Sequence, residues 1–260
     1  MKTNAHAKVN IFLKIIGTRD NYHLLSSRFV KVNNLYDTLS FAKKEKHEKG
    51  FILKGAFGCT TEQNSIYKAY KLLHEATNSN TLKDFFQTHE VQVEKRIPEF
   101  AGLGGGSSDA AAFLRLANEV CDLKLGTETL AKIGEKIGAD VPFFVYDYTS
   151  ANVEGIGEVV VPFEEELLNI QTFTPPIECD TPKVYGKFRK KYIDNLDENK
   201  KLSTILAKEK SDTILRTYTP QALNDLYPPA LDLYPQLQDF AKEGWFFSGS
   251  GSTYFKNGEK

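Results

Sequence analysis

Apolar and polar positions change period along the chain in a way that predicts a mixture of strands and helices. Residues 5–16 are rich in β-forming side chains, and a period of two puts Lys8, Asn10 and Phe12 on one face of that strand. Alternation recurs over residues 27–32, 38–42 and 51–54. The spacing then lengthens: Ile66, Ala69, Tyr70 and Leu73 make one stripe of a helix over 61–76, with Thr60 or Thr61 as its cap. A strand over 89–97 feeds a glycine-rich stretch, after which Ala110, Phe113, Leu114, Ala117 and Cys121 form a second helical stripe. A further helix is predicted over 127–137 and a hairpin over 150–161 with Gly155 and Gly157 at its turn. Another helix starts at Thr181-Pro182, with proline at the first helical position. Residues 194–210 are so charged that they read as a mobile loop or an exposed helix. Trp245, Phe246 and Phe247 read as a buried strand. Both halves mix strands with helices, so the class is α+β, with a domain boundary expected near residue 150 and domains of 1–150 and 151–260.

The stretch PEFAGLGGGSSDAAA, residues 98–112, carries the strongest chemical signal. Glycines 104 to 106 let the backbone take positive φ and approach a ligand closely, and Ser107, Ser108 or Asp109 can cap the helix that follows. The free N–H groups and positive dipole end of that helix would face the loop, where a phosphate fits. Two familiar nucleotide loops are excluded. A P-loop needs Lys and then Ser or Thr after its last glycine, and Ser107 follows Gly106 directly. The dinucleotide fingerprint needs glycine at its sixth place, which counting from Gly102 is Ser107. A glycine-rich turn before an ordinary helix remains the plain alternative.

Composition narrows the partners. A chain of 260 residues can bury a sizeable core, and its formal charge of −1 gives no electrostatic case for nucleic acid or an acidic membrane surface. Cys59, Cys121 and Cys179 are few, scattered and odd in number, which argues for a reducing compartment and against a disulfide framework or a metal site. No run approaches the roughly 20 apolar residues needed to span a bilayer, and no signal peptide is read at the start. A cytoplasmic protein with no membrane partner, monomeric or weakly dimeric, is expected.

Other polar clusters are ambiguous by themselves. Asp20, Asn21, Tyr22 and His23 form a turn that pairs an aromatic with an imidazole, the combination that can stack on and hydrogen-bond to a nucleobase. Asp140, between Gly-Ala and Val-Pro, could be a turn former, a helix cap or a base. Lys187, Arg189, Lys190 and Lys191 could be a solvated face or could meet a substrate diphosphate. Residues 248–252, SGSGS, could be a plain turn or a place where backbone approaches a ligand.

AKVNIFLKIIG from residue 7, DNYH from 20, KRIPEFAGLGGGSSDAA from 95 and GADVPFF from 138, followed by SGSGS, resemble end to end the GHMP kinase superfamily of galactokinase, homoserine kinase and mevalonate kinase. Within it they look most like the branch whose alcohol substrate carries a cytidine diphosphate group. The resemblance implies a two-domain α+β fold with the active site in the cleft between the domains, ATP as phosphoryl donor, and Mg²⁺ with no protein ligand identified. It makes Lys8 and Asp140 the catalytic pair, the Asp facing the Lys and taking the hydroxyl proton. It assigns the nucleotide loop to Pro98, Glu99, Phe100, Ala101, Gly102, Leu103, Gly104, Gly105, Gly106, Ser107 and Ser108. Asn10, Tyr22, His23, Thr181 and Tyr185 would bind the substrate, and Gly249 to Gly251 would support the loop. Another acceptor, such as homoserine or a mevalonate-type alcohol, or a nucleotide-binding regulator without catalysis, are the competing implications. The chain departs from the family in three places: His6 replaces a usual Pro, Asn21 a usual Gly, and Phe100 a usual Gly. If position 100 requires positive φ, a bulky residue there is strained.

Overall fold

The computed structural model describes residues 1–45 and 48–258. In chain order the elements are β1 (Lys2–Arg19), β2 (Tyr22–Lys43), β3 (Leu53–Lys54), α1 (Ser65–Thr77), α2 (Asn80–Thr88), β4 (His89–Glu94), α3 (Gly105–Val120), α4 (Thr127–Glu135), α5 (Val141–Tyr146), β5 (Ser150–Gly155), β6 (Val159–Pro162), β7 (Ile170–Phe173), α6 (Thr181–Lys191), α7 (Leu196–Leu206), α8 (Ser211–Thr217), α9 (Pro220–Leu223), α10 (Tyr227–Leu233), β8 (Phe246–Phe247) and β9 (Tyr254–Asn257). The α+β expectation holds. Two compact units divide the chain discontinuously: Met1–Ala7, Asn34–Ile97 and Gly104–Asp147 in the first, Lys8–Asn33, Pro98–Leu103 and Tyr148–Lys260 in the second.

In the first unit, the far end of β2 pairs antiparallel with β4, from Thr38 opposite Glu94 to Lys43 opposite His89, and β3 joins β4 in parallel. Helix α3 packs on α1 and α5, and α4 on α5. The predicted stripe of Ala110, Phe113, Leu114, Ala117 and Cys121 is buried, with Phe41, Phe86 and Phe113 meeting at ring-centroid distances of 5.2–5.7 Å. Such aromatic clusters combine large apolar burial with edge-to-face attraction.

In the second unit, Leu25 to Val30 of β2 pair antiparallel with β5, and β5 forms the predicted hairpin with β6. A smaller sheet has the order β7-β9-β8. Its core gathers Leu13, Ile15, Val184, Phe188, Leu226, Tyr227, Phe247 and Tyr254. Arg28 is wholly buried: its Nε donates to Asn152 Oδ1 at 2.7 Å, Nη2 to the Ala207 carbonyl at 3.0 Å, and Nη1 lies 3.7 Å from Glu165. A buried guanidinium is tolerable only with partners of this kind, and these tie the α7–α8 connection to β2 and β5.

Several boundaries differ from expectation. The strands predicted at 27–32 and 38–42 are one strand, β2; alternation lapses at the exposed Asn33 and Asn34, but the backbone stays extended. Helix α1 starts at Ser65, because Asn64 rather than a threonine caps it, accepting from Ile66 N at 2.9 Å. Residues 194–210 contain a defined helix, α7, and residue 245 precedes the strand β8. The strand entry is undisturbed at His6, which lies within β1 with its ring 5.2 Å from that of Tyr36. Cys59, Cys121 and Cys179 are free thiols. No helix of the described residues is long and apolar enough to cross a membrane.

Candidate active site

The glycine stretch does two things. Its later part, in the first unit, starts α3. The cap is Gly104, at φ 71°, with no side-chain hydrogen bond closing the helix end. This corrects the expectation that Ser107, Ser108 or Asp109 caps the helix: α3 begins at Gly105, so all three lie inside its first turns. Ser108 is buried with its N–H donating to the Gly104 carbonyl at 2.9 Å, while Gly106 is exposed and its carbonyl accepts from Ser65 Oγ at 2.6 Å. Side-chain capping would have covered the N–H groups that an anion needs; glycine leaves them open.

Asp109 instead faces inward. It lies 2.7 Å from Lys95, which also pairs with Asp37, and Asp37 Oδ1 in turn accepts from Arg96 N and Ile97 N at 2.5 and 2.8 Å. This cluster fixes the end of β4 to the first turns of α3. Burial pushes the Asp109 carboxyl up to about 7 against the pull of Lys95, and Asp37 adds to the rise. Burial alone would lower Lys95, but Asp109 and Asp37 outweigh it and hold the lysine charged. The Asp109 carboxyl has an ordinary value of 3.8. A carboxyl raised on folding stabilises the fold at low pH, and that contribution is lost as pH rises from about 4 through about 7. Asp109→Asn is therefore expected to gain about 1–3 kcal/mol relative to the parent between about pH 5 and about pH 8. Urea unfolding at the two pH values checks it; a constant difference contradicts it.

Asp140 also belongs to the first unit. It occupies the cap position of α5, with φ −78° and ψ −14°, yet its side chain makes no capping hydrogen bond. The bland reading as a helix cap is therefore not realised. The turn that carries it packs beside α3: a Cβ placed on Gly138 would lie 3.7 Å from Ser107 Oγ.

The second unit holds the other candidates. Lys8 is only 4% exposed, so it does not sit on a solvated strand face. Its Nζ donates to Asn10 Oδ1 at 2.6 Å and stands 4.3 Å from the centre of the Phe29 ring. Asn10 Nδ2 donates to Ser27 Oγ at 2.9 Å, which fixes the amide with its oxygen toward the lysine. Lys8 N donates to the Leu103 carbonyl at 3.0 Å and Ser248 Oγ to the Gly102 carbonyl at 3.0 Å, so β1, the early glycine loop and the SGSGS turn form one connected surface. Asn224 braces that turn from behind, its Nδ2 donating to the carbonyls of Phe247 and Gly249 at 2.8 and 2.9 Å. A Cβ on Gly102, at φ 73°, would overlap the Ser248 carbonyl oxygen. The close approach requires glycine on both counts.

Pro98, Glu99 and Phe100 are exposed, and Ala101 and Leu103 are buried. Phe100 has φ 53° and its side chain is 57% exposed, so the position is left-handed as the family glycine implies, and the ring points outward. Phe100→Gly is expected to change the KM for ATP several-fold with kcat little changed, since glycine relieves the left-handed strain at this place and lets the loop backbone adjust. An unchanged KM refutes that role. A left-handed backbone costs an L-residue roughly 1–2 kcal/mol, so the variant should also be no less stable.

His23 and Tyr185 lie against each other in the second unit. Their ring centroids are 5.2 Å apart, and Phe188 meets His23 edge-on at 5.8 Å. Burial, with a smaller push from Arg189, lowers the His23 pKa and favours neutral imidazole. His23 Nε2 is buried and has no hydrogen-bond partner among the described residues. A buried polar atom left unpaired costs stability, which is recovered when a ligand supplies the partner. Tyr22 is 61% exposed, open to stacking. Thr181 Oγ1 lies 2.7 Å from Ser250 Oγ, joining the start of α6 to the SGSGS turn.

The model for GHMP kinases N terminal domain matches residues 64–148. A protein of Sulfurimonas denitrificans called 4-diphosphocytidyl-2-C-methyl-D-erythritol kinase is 51% identical over 98% of this chain and 96% of its own. The chain belongs to the 4-diphosphocytidyl-2-C-methyl-D-erythritol kinase family of GHMP kinases. A second member of that kinase family, from a Sulfurovum species, is also 51% identical, over 97% of each chain. A crystal structure of 4-(cytidine 5'-diphospho)-2C-methyl-D-erythritol kinase covers 100% of this chain and 90% of that one, with TM-score 0.73 and 29% identity.

Sequence reasoning missed Asn224, Ser27 and the Asp37–Lys95–Asp109 cluster. Lys95 stood inside a quoted motif without a role. Asn224 lies in a proline-punctuated helical stretch and offers no local signal, because its task is defined only by carbonyls brought to it from residues 247 and 249.

Proposed function

We propose that this chain transfers the γ-phosphoryl group of ATP to the 2-hydroxyl of 4-diphosphocytidyl-2-C-methyl-D-erythritol, a step of non-mevalonate isoprenoid precursor synthesis. The observation that carries the choice of acceptor is His23: a neutral imidazole with an unpartnered buried nitrogen, flanked by Tyr185 and Phe188 and near the exposed Tyr22. A nucleobase offers both a face to stack and an edge to hydrogen-bond; a small aliphatic alcohol offers neither.

Phosphoryl transfer needs positioning and charge stabilisation more than covalent help from the protein. In this reading the open N–H groups at the start of α3, with the backbone of residues 98–108, hold the triphosphate. Lys8, oriented by Asn10, supplies positive charge to the transferred group. Asp140 accepts the proton of the attacking hydroxyl as the new P–O bond forms and the bond to the ADP oxygen breaks. Asn10 steers the acceptor, Thr181 and Tyr185 close on cytidine, and Gly249 to Gly251 support the loop. Mg²⁺, when bound, would supply positive charge to the phosphate oxygens. Among the described residues no three His, Cys, Asp or Glu side chains gather to hold a metal, and Mg²⁺ bound by phosphates and water needs no such cage.

Incubating the protein with ATP and a panel of alcohols tests the reading. Phosphorylation of the cytidine-bearing polyol, with homoserine and mevalonate left untouched, is expected; transfer to either of those instead rejects it.

A further inference from the structure

Helix α6 carries Tyr185 and Phe188 against His23, and four residues beyond Tyr185, on the same helical face, stands Arg189. Two of the neighbouring cations are answered, Lys187 and Lys191 lying 3.5 and 2.7 Å from Asp232, and Lys190 is exposed to water. Arg189 is not answered. Its Nη2 is buried and without a hydrogen-bond partner among the described residues, and the charge of its guanidinium opposes protonation of His23. A basic face that served only solubility would have its charges in water. Here one guanidinium nitrogen is withdrawn from water and left open, one helical turn beyond the Tyr185 ring that meets His23, whose own Nε2 is open as well.

Arginine donates five N–H bonds and accepts none, so whatever completes this site presents acceptor oxygens or nitrogens. Guanidinium geometry suits phosphate oxygens, which it can meet with two parallel bonds. Resting on the functional reading above, we propose that Arg189 is a further substrate-binding residue, which receives the diphosphate oxygens of the cytidine diphosphate group while His23 and Tyr185 hold its base. Two open polar atoms then belong to one pocket: one reads the base, and the other reads the charge attached to it. The residue thereby makes the site selective for a cytidine that bears phosphate, over cytidine itself.

Calorimetric titration with cytidine and with CDP separates the contributions. In the parent protein CDP is expected to bind at least 10-fold more tightly than cytidine. Arg189→Gln should weaken CDP about 10- to 100-fold while cytidine changes less than about 3-fold, the loss expected for one charged hydrogen-bonded contact. Retained cytidine binding shows that the pocket is folded. Should Arg189→Gln fail to fold, Arg189→Lys decides the matter, because it keeps the charge but not the fork and should lose a smaller part of the CDP preference. Equal losses for cytidine and CDP, or no loss for CDP, overturn the inference and leave the kinase reading intact. A parent protein that binds neither ligand overturns both.

Discussion

Asp140→Ala is expected to lower turnover by about 10²- to 10⁴-fold while ATP still binds, the range lost when a positioned general base is removed. The structure lets that loss be read as chemistry. Asp140 stands where a helix cap would stand, but its side chain makes no capping hydrogen bond to α5, and its backbone is in the ordinary right-handed region. Truncation therefore costs the helix no cap and relieves no strain. Pro142 and Phe143 of α5 are buried. Single-turnover rates, nucleotide affinity and the unfolding midpoint measured together discriminate the outcomes. A loss of rate at unchanged affinity and stability is expected. Near-normal turnover rejects Asp140 as the base, and a collapse of stability would place its role in the fold.

Gly102→Ala is expected to be severely damaging for a single added methyl group. The residue sits at φ 73°, and its added Cβ would overlap the Ser248 carbonyl oxygen, a backbone atom that cannot swing aside. The left-handed conformation alone costs about 1–3 kcal/mol for a non-glycine residue. The clash forces the glycine loop away from the SGSGS turn, breaking the bond from Ser248 Oγ to the Gly102 carbonyl and loosening the contact of Ser248 Oγ with Asn10 N. A displacement of about 1 Å in a positioning element can cost 10²-fold in rate. Accordingly, kcat/KM should fall by about 10² or more, and the unfolding midpoint by several degrees. Gly106→Ala is the control: its added Cβ would meet only Ser65 Oγ, at 3.5 Å, so stability should change little. Equal damage at both positions contradicts the account.

What could be read from the sequence was whatever is local. Strand-loop-helix order around residues 98–112, the buried stripe of α3 and the hairpin at β5 and β6 each follow from spacing within one segment. The left-handed backbone of Phe100 was raised only as a condition, from the glycine that the family has at that place. The burial of Lys8 was not legible, since period two places a side chain on a face without saying what covers the face. Caps failed for a related reason. Ser107, Ser108 and Asp109 have capping chemistry, yet Gly104 ends the helix and Asp109 is drawn to Lys95, a partner supplied by another element. Arg189 looked the same as Lys187 and Lys191 in the sequence; only the position of Asp232 separates them.

Selection of the acceptor by its base is most directly measured by comparing kcat/KM for 4-diphosphocytidyl-2-C-methyl-D-erythritol with that for the same polyol phosphate lacking the cytidylyl group. The pocket around His23 predicts a preference of about 10³ or more for the cytidine-bearing alcohol, as expected where an open buried polar group is left unpaired by the shorter substrate. Comparable efficiencies for the two would contradict it.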